Sequence, residues 1–168
     1  MGFRELLLVV FNSVLFSLLV LNINATSSRG QEALQETEIA HTAISIAQRF
    51  LEEAKSKKFD ANVGTGIDPA TFPGTFTSAC CLGHHPTNES YPNFNDVDDY
   101  HNFNQTINVQ GMDFLVAISV AYVSDTNPEQ PAGTETFFKK MTVKISSDWL
   151  SHSITLKQVV SYFGVDTT

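Results

Sequence analysis

Three aspartates and a histidine crowd into one short segment near the middle of the chain, which reads FNDVDDYHNF from Phe94 to Phe103. Carboxylate oxygens are the ligands that Ca²⁺ prefers, so Asp96, Asp98 and Asp99 are candidate calcium ligands. The segment lacks the glycine and the final glutamate of an EF-hand loop. A second interpretation is that these aspartates cap backbone N–H groups while the neighbouring aromatic side chains are buried. The segment would then fix a long loop against a sheet.

A second segment with reactive side chains, CCLGHHP, runs from Cys80 to Pro86 and holds two thiols and two imidazoles. Zinc binds both groups, but closed zinc sites join one ligand pair to a distant second pair, whereas here the ligands are nearly consecutive. A disulfide ring between the neighbours Cys80 and Cys81 would be strained. Free thiols, an internal or intermolecular disulfide and a metal site are therefore all open for these cysteines.

Enzyme motifs are missing from the sequence, which contains no G-x-S-x-G, no H-E-x-x-H and no glycine-rich phosphate loop. We therefore expect no catalytic residues, and no cofactor other than the calcium considered above. A metal-dependent activity at the cysteine and histidine segment is the one catalytic alternative. The formal net charge of −8 argues against a nucleic-acid partner, because phosphate binding needs a basic surface.

The elements that must position these segments begin with an apolar run near the N-terminus, LLLVVFNSVLFSLLVL, from Leu6 to Leu21. With its flanks, residues 1–25, the run approaches the length of about 20 residues that crosses a bilayer. Arg4 precedes the run, which by the positive-inside rule places the N-terminus in the cytoplasm and the remainder of the chain outside. We predict a single-pass membrane helix over residues 1–25. A secretory signal cleaved after Ala25 fits the same pattern.

An amphipathic helix is predicted over residues 26–59, where small and apolar side chains recur at steps of three and four. Glutamates lie toward its start and lysines toward its end, which suits the helix dipole. Residues 60–108 are rich in proline, asparagine, threonine and serine and are predicted to form a variable loop region. Loops of this length are usually functional or locally pinned.

An antiparallel sheet is predicted over residues 109–168, where the hydrophobic period changes to two. The alternating stretches are VQGMDFLVAISVAYV, FFKKMTVKIS and HSITLKQVVSYF. In the second, Met141, Val143 and Ile145 share one face. An apolar sheet face needs a cover, and the amphipathic helix is available. The predicted fold class is α+β, a long N-terminal membrane helix packed on a three- or four-stranded antiparallel β-sheet, with residues 26–168 as one globular domain.

This order of elements resembles that of type IV pilin-like proteins. The opening MGFRELLLVVF is similar to a prepilin start, in which a glycine precedes a phenylalanine and an apolar helix carries an early glutamate. AQRFLEEAKSKKFD, Ala47 to Asp60, and the FNDVDDYHNF segment are similar to minor pilins of the mannose-sensitive haemagglutinin type and to type II secretion pseudopilins. The resemblance extends over most of the chain in order and spacing.

The resemblance implies a structural role, as a minor subunit of a type IV pilus or a type II secretion filament. It implies cleavage by prepilin peptidase between Gly2 and Phe3. It also implies that Glu5 assists filament assembly by neutralising the N-terminal amine of a neighbouring subunit.

The partners implied are the membrane and other pilin-like subunits, contacted through the N-terminal helix. The location implied is the inner membrane, with the C-terminal domain periplasmic or extracellular. An alternative from another class is a signal-anchored or secreted surface binding domain, whose loop region contacts a ligand or a cell surface.

Overall fold

The computed structural model describes residues 2–63, 73–83 and 89–162, without the side chains of residues 24–30, 32 and 33. The chain divides into two compact units, Met1–Ile39 and Ala40–Thr168, and each is described by itself. Within the described ranges the elements are α1 (Phe3–Lys55), 3₁₀ helices at Pro73–Thr75 and Asp98–Tyr100, and strands β1 (Asn104–Val109), β2 (Met112–Tyr122), β3 (Phe138–Ser146) and β4 (Ile154–Ser161).

In the first unit, α1 is apolar and its side chains are exposed. The stretch Phe3–Ile23 has 21 residues, a mean hydropathy of 2.5 and no buried part. At about 1.5 Å per residue it is about 30 Å long, close to the hydrocarbon thickness of a bilayer. The predicted apolar helix is therefore confirmed as one that is long enough to cross a membrane, a property that N-terminal signal sequences share. The helix continues through Gly30 without a break.

In the second unit, α1 carries a stripe of buried side chains at the predicted helical spacing. The stripe consists of Ala43, Ile46, Ala47, Phe50, Leu51 and Ala54. The Phe50 ring contacts those of Tyr91 and Phe103, with centroids 5.8 and 5.9 Å apart. Because the small residues allow close approach and Phe50 fills the remaining space, this end of α1 packs against the segment that leads into the sheet.

The four strands form one antiparallel sheet in the order β1-β2-β3-β4, a meander in which each strand pairs with the next. On β2 the predicted inward face is confirmed, since Phe114, Val116, Ile118, Val120 and Tyr122 are buried. On β3 the inward face includes Met141, Val143 and Ile145, also as predicted. The opposite faces are partly exposed, which is typical of an antiparallel sheet with one covered side.

The start of the sheet differs from the sequence expectation. Strand β1 lies inside the stretch that was expected to be loop, and Val109 ends β1 instead of opening the next strand. A two-residue turn at Gln110 and Gly111, with φ of 53° and 84°, joins β1 to β2. Two positive φ values give the turn a twist that matches paired strands. The polar composition of β1, NQTINV, hides it from a search for apolar alternation.

Candidate functional site

Strand β3 brings a lysine into the core of the second unit. Lys139 lies two residues before Met141, so the alternation of the strand turns its side chain inward, and it is completely buried. Its partner in register on β2 is Tyr122, which is buried as well. Sequence reasoning did not select Lys139, although extending the Met141, Val143 and Ile145 face by one step would have found it.

The lysine ammonium is fully occupied by acceptors. Nζ of Lys139 donates to Oδ1 of Asp98 at 2.6 Å, to Oδ2 of Asp60 at 2.9 Å and to the carbonyl oxygen of Phe59 at 2.8 Å. The Phe59 and Tyr122 rings lie over the same nitrogen, with centroids 4.6 and 5.1 Å away, so aromatic faces add to its stabilisation. We call Lys139, Asp60, Asp98 and Tyr122 the lysine cluster.

Asp60 follows the end of α1 and is held as an anion by donors on several sides. Its carboxylate accepts the N–H groups of Asn62 and Thr77 at 3.0 and 2.8 Å, and lies 3.2 Å from the hydroxyls of Thr77 and Tyr122. Burial by itself would raise the pKa of Asp60, but the Lys139 ammonium and these hydrogen bonds bring it below its ordinary value. Asp60 is therefore ionised in the folded protein.

Asp98 reaches the cluster because the segment Phe94–Phe103, here called the clasp, is pinned beside the end of α1. The N–H of Lys58 donates to Asn95 at 3.3 Å, and the N–H of Val97 donates to the carbonyl oxygen of Lys58 at 3.0 Å. The short 3₁₀ helix that begins at Asp98 then turns this side chain toward Lys139.

The other two aspartates of the clasp cap backbone groups, in agreement with the second interpretation of the sequence. Oδ1 of Asp96 accepts the N–H groups of Asp98 and Asp99 at 3.0 and 3.1 Å. Oδ2 of Asp99 accepts the N–H groups of Asn95 and Asp96 at 2.8 and 3.3 Å. The clasp is thus braced by its own carboxyl groups.

Burial gives the capping aspartates unusual acidities. It raises the pKa of Asp96 to about 8, with the neighbouring Asp98 carboxyl as the next cause. Burial also raises the pKa of Asp99, although the N–H groups that it accepts act in the opposite direction. Asp96 therefore keeps its proton at neutral pH.

The clasp also ties α1 to strand β2. The Tyr100 hydroxyl donates to Oε1 of Glu53 on α1 at 2.8 Å. The ring nitrogen Nδ1 of His101 accepts the N–H of Val120 at 3.1 Å, and the Phe103 carbonyl oxygen accepts the N–H of Ile118 at 2.9 Å. Because Tyr100 is buried and Phe103 packs on Phe50, the predicted aromatic anchors are present in the structure.

The predicted calcium ligands therefore have other bonding partners. The carboxyl group of Asp98 points to Lys139, and those of Asp96 and Asp99 point to backbone N–H groups. Among the residues that the structure describes, no group of three or more histidine, cysteine, aspartate or glutamate side chains is arranged to hold a metal ion. Calcium binding at the clasp stays a prediction.

The two cysteines are free and exposed, and their sulfur atoms lie 2.8 Å apart. The hydrogen bond between them lowers the pKa of the Cys80 thiol and raises that of Cys81. The two histidines of the same segment, His84 and His85, lie outside the described residues. The structure thus shows free thiols at this position and does not test the predicted metal alternative.

At the N-terminus, Gly2 precedes α1 and Phe3 is its first residue, with 81% of its surface exposed. Oε2 of Glu5 accepts the N–H of Gly2 at 3.1 Å, a glutamate cap on the first turn of the helix. The predicted cleavage pair and the early glutamate therefore lie together at one helix end.

The chain matches no protein-family model, no curated protein and no solved structure. Its function must be inferred from its own residues and their geometry.

Proposed function

We propose that this protein is a membrane-anchored structural subunit of a pilin-like filament, a minor pilin or a pseudopilin. The observation that carries the proposal is the continuity of α1, whose first part is apolar and exposed and whose last part is built into the sheet unit. Such a helix joins a membrane anchor to an exported domain within one helical element.

The exposed apolar surface of α1 needs to be covered by lipid or by other apolar side chains. Leucine, valine and phenylalanine side chains between Leu6 and Ile23 are between 41% and 71% exposed, and they point to all sides of the helix. Burying one such side chain contributes about 1.5–3 kcal/mol, so the helix is stable only in lipid or among other apolar helices. A filament subunit uses both surroundings in turn, lipid before assembly and neighbouring subunits after it.

The role proposed for Glu5 follows from its contact with Gly2. Cleavage before Phe3 would remove the N–H group that Glu5 accepts and would create a new amine at Phe3. A carboxylate in apolar surroundings is stabilised by a cation, so Glu5 is suited to pair with the Phe3 amine of a neighbouring subunit. In the cleaved chain Glu5 is the third residue.

We propose a structural rather than a catalytic role because the charged groups of the core are sealed. The side chains of Lys139 and Asp60 have no exposed surface, and that of Asp98 is 4% exposed. A substrate has no path to these groups in the folded unit. They serve the stability of a domain that, in this proposal, lies in the periplasm or outside the cell while α1 spans the inner membrane.

The N-terminus of the mature chain tests the proposal. The full-length protein is produced in a bacterium with prepilin peptidase and a filament assembly system, and the surface filaments are sheared off and sequenced. We expect chains that begin at Phe3 within the sheared fraction. The variant Gly2→Arg should stay uncleaved and absent from filaments, whereas Gln48→Arg, an exposed position on the same helix, should assemble normally.

The signal-anchored or secreted binding domain is the second candidate. It is favoured by the position of the apolar stretch near the N-terminus, where signal sequences also lie. Chains that begin at Thr26 and are released into the medium would establish this candidate and refute the filament subunit. Chains that keep Met1 and never cross-link to other pilins would indicate a plain membrane anchor instead.

A further inference from the structure

We propose that Lys139 and Asp98 join covalently, through an amide bond between Nζ of the lysine and Cγ of the aspartate. The bond is an intramolecular isopeptide cross-link between β3 and the clasp. It does not depend on the filament role, because every group that it needs lies inside the Ala40–Thr168 unit.

The geometry places a nucleophile on a carboxyl group and excludes water. Nζ of Lys139 lies 2.6 Å from Oδ1 of Asp98, the shortest of its three contacts. Neither side chain has more than 4% of its surface exposed. Holding two reacting groups in contact removes the entropic part of the barrier, and a dry site disfavours the charged pair relative to amine and acid. Amide formation releases water, so exclusion of water also favours the product.

Asp98 is a better acyl donor than Asp60. Asp60 already accepts hydrogen bonds that stabilise its anion, from the N–H groups of Asn62 and Thr77 and from the hydroxyls of Thr77 and Tyr122. An anion held in this way resists attack at its carboxyl carbon and stays charged beside the Lys139 nitrogen. The Asp98 carboxyl instead has the lysine nitrogen as its close partner, at 2.6 Å.

The proposed reaction balances without any added reagent. One proton passes directly from the Lys139 ammonium to Oδ1 of Asp98, 2.6 Å away, which gives a neutral amine and a carboxylic acid. The amine attacks Cγ of Asp98 and forms the C–N bond, which leaves a positive charge on the nitrogen that the Asp60 carboxylate stabilises from 2.9 Å. The nitrogen then passes a second proton to the hydroxyl group on the attacked carbon, the C–O bond breaks and one water leaves. The lysine nitrogen has lost two protons, the aspartate has lost one oxygen, and Asp60 has remained a carboxylate throughout.

The product would fix the clasp permanently. The two residues are 41 positions apart in sequence, so the amide closes a large loop that contains β1, β2 and the turn between them. After the reaction Asp60 keeps its four other donors and accepts the new amide N–H. A domain closed in this way resists pulling and proteolysis, because the clasp cannot separate from β3 while the backbone is intact.

Mass spectrometry of the denatured full-length protein tests the proposal. No lysine or arginine lies between Lys58 and Lys139, so trypsin ordinarily releases the peptide Phe59–Lys139. An amide on Lys139 blocks this cut, and we expect instead the peptide Phe59–Lys140 with the mass of one water missing. Further cleavage at Glu129 and Glu135 should leave the parts that hold Asp98 and Lys139 joined as a branched peptide.

Three variants make the result specific. Lys139→Arg keeps a cation for the two carboxylates but is a poor nucleophile, so it should show the full mass. Lys140→Arg changes the neighbouring lysine and should still lose one water. Asp60→Asn should reduce the cross-linked fraction at least tenfold at early times, because the carboxylate that stabilises the positive charge on the attacking nitrogen is gone.

Full-mass Phe59–Lys139 as the only product of the folded wild-type protein would overturn the proposal in favour of a permanent ion pair. Loss of water that persists in Lys139→Arg would overturn it as well, since dehydration would then have another origin. These results do not depend on where the N-terminus is cut, so failure of this proposal is distinguishable from failure of the filament role.

Discussion

The two units of this protein place polar and apolar groups in opposite ways. The first unit exposes a helix of large apolar side chains, and the second buries a lysine and several aspartates. The buried charges have partners within 3 Å in their own unit, as Lys139 has in Asp60 and Asp98. The apolar stretch Phe3–Ile23 of α1, by contrast, has no buried part. One unit is complete in itself, whereas the other requires surroundings that the chain does not supply.

The hydrogen bonds of the second unit satisfy nearly all of its described buried side-chain polar atoms. Among the described residues, one buried side-chain polar atom has no partner, Oε1 of Gln105 on the edge strand β1. Buried polar groups are costly unless they are satisfied, so a core that holds a lysine and four buried aspartates must position each donor and acceptor closely. This requirement explains why the clasp, α1 and β3 meet where they do.

The largest effect should come from removing the buried cation. Lys139→Met leaves Asp60 and Asp98 buried without the lysine nitrogen, which should destabilise the second unit by about 3–5 kcal/mol. The measurement is guanidinium unfolding of the full-length protein in detergent, followed by near-UV circular dichroism of the buried Tyr100 and Tyr122.

The matched control is Lys140→Met. Lys140 is buried as well, but its nitrogen bonds the carbonyl oxygen of the exposed Glu129 at 2.7 Å, so its loss leaves no buried carboxylate unpaired and should cost less than the loss of Lys139. Equal losses of unfolding free energy in Lys139→Met and Lys140→Met would show that the lysine cluster does not stabilise the core more than Lys140 does.

The next largest effect should come from charging the apolar helix. Leu15→Arg places a cation near the middle of the membrane-length stretch, which should disfavour insertion by about 2.5–3.5 kcal/mol. The protein should then partition away from the membrane fraction, while the near-UV spectrum of the second unit stays unchanged. Membrane fractionation with an alkaline wash measures the first quantity.

Gln48→Arg adds the same charge to an exposed position further along α1 and should leave membrane binding intact. If Leu15→Arg bound the membrane as well as the wild type, the apolar stretch would not be the anchor. If it unfolded the second unit, the folding of that unit would depend on the apolar helix.

The spacing of apolar residues in the sequence predicted the elements that have one mainly apolar face. It located the apolar helix, the buried stripe on α1 and the inward faces of β2 and β3, because steps of three, four and two residues have a direct geometric meaning. Periodicity did not predict β1, because most side chains of this strand are polar. The turn after β1 was hidden as well, since Gln110 occupies a position of positive φ where asparagine or glycine is usual.

The lysine cluster could be predicted only in part. The sequence predicts that Asp98 binds calcium or caps backbone N–H groups, and neither interpretation indicates a lysine, because lysines on strands usually face the solvent. Asp60 and Lys139 are 79 positions apart, and their contact depends on how the end of α1 lies against β3. A local sequence pattern cannot predict the contact between Asp60 and Lys139, because that contact depends on the packing of the whole unit.

A smaller effect, on the pH dependence of stability, should distinguish the protonated carboxyl group of Asp96 from the ionised carboxylate of Asp60. The pKa of Asp96 is about 8 in the folded chain, mainly because of burial, whereas an unfolded aspartate titrates near about 3.9. Between these values the folded protein holds a proton that the unfolded chain lacks. Its stability should therefore fall as pH rises and should level off above about pH 8. Asp60 acts in the opposite sense, since its lowered pKa gives a contribution that is lost only as pH falls below about 4.

Asp96→Asn isolates this contribution. The asparagine Oδ1 can accept the same two N–H groups and the amide has no titratable proton, so the variant should fold. Its unfolding midpoint, followed by near-UV circular dichroism from about pH 5 to about pH 8, should be nearly flat where that of the wild type declines. The exposed Asp148→Asn should keep the wild-type slope. A wild-type protein whose stability rose over this interval would mean that Asp96 is ionised, and the clasp would then hold its carboxyl groups as anions beside Lys139.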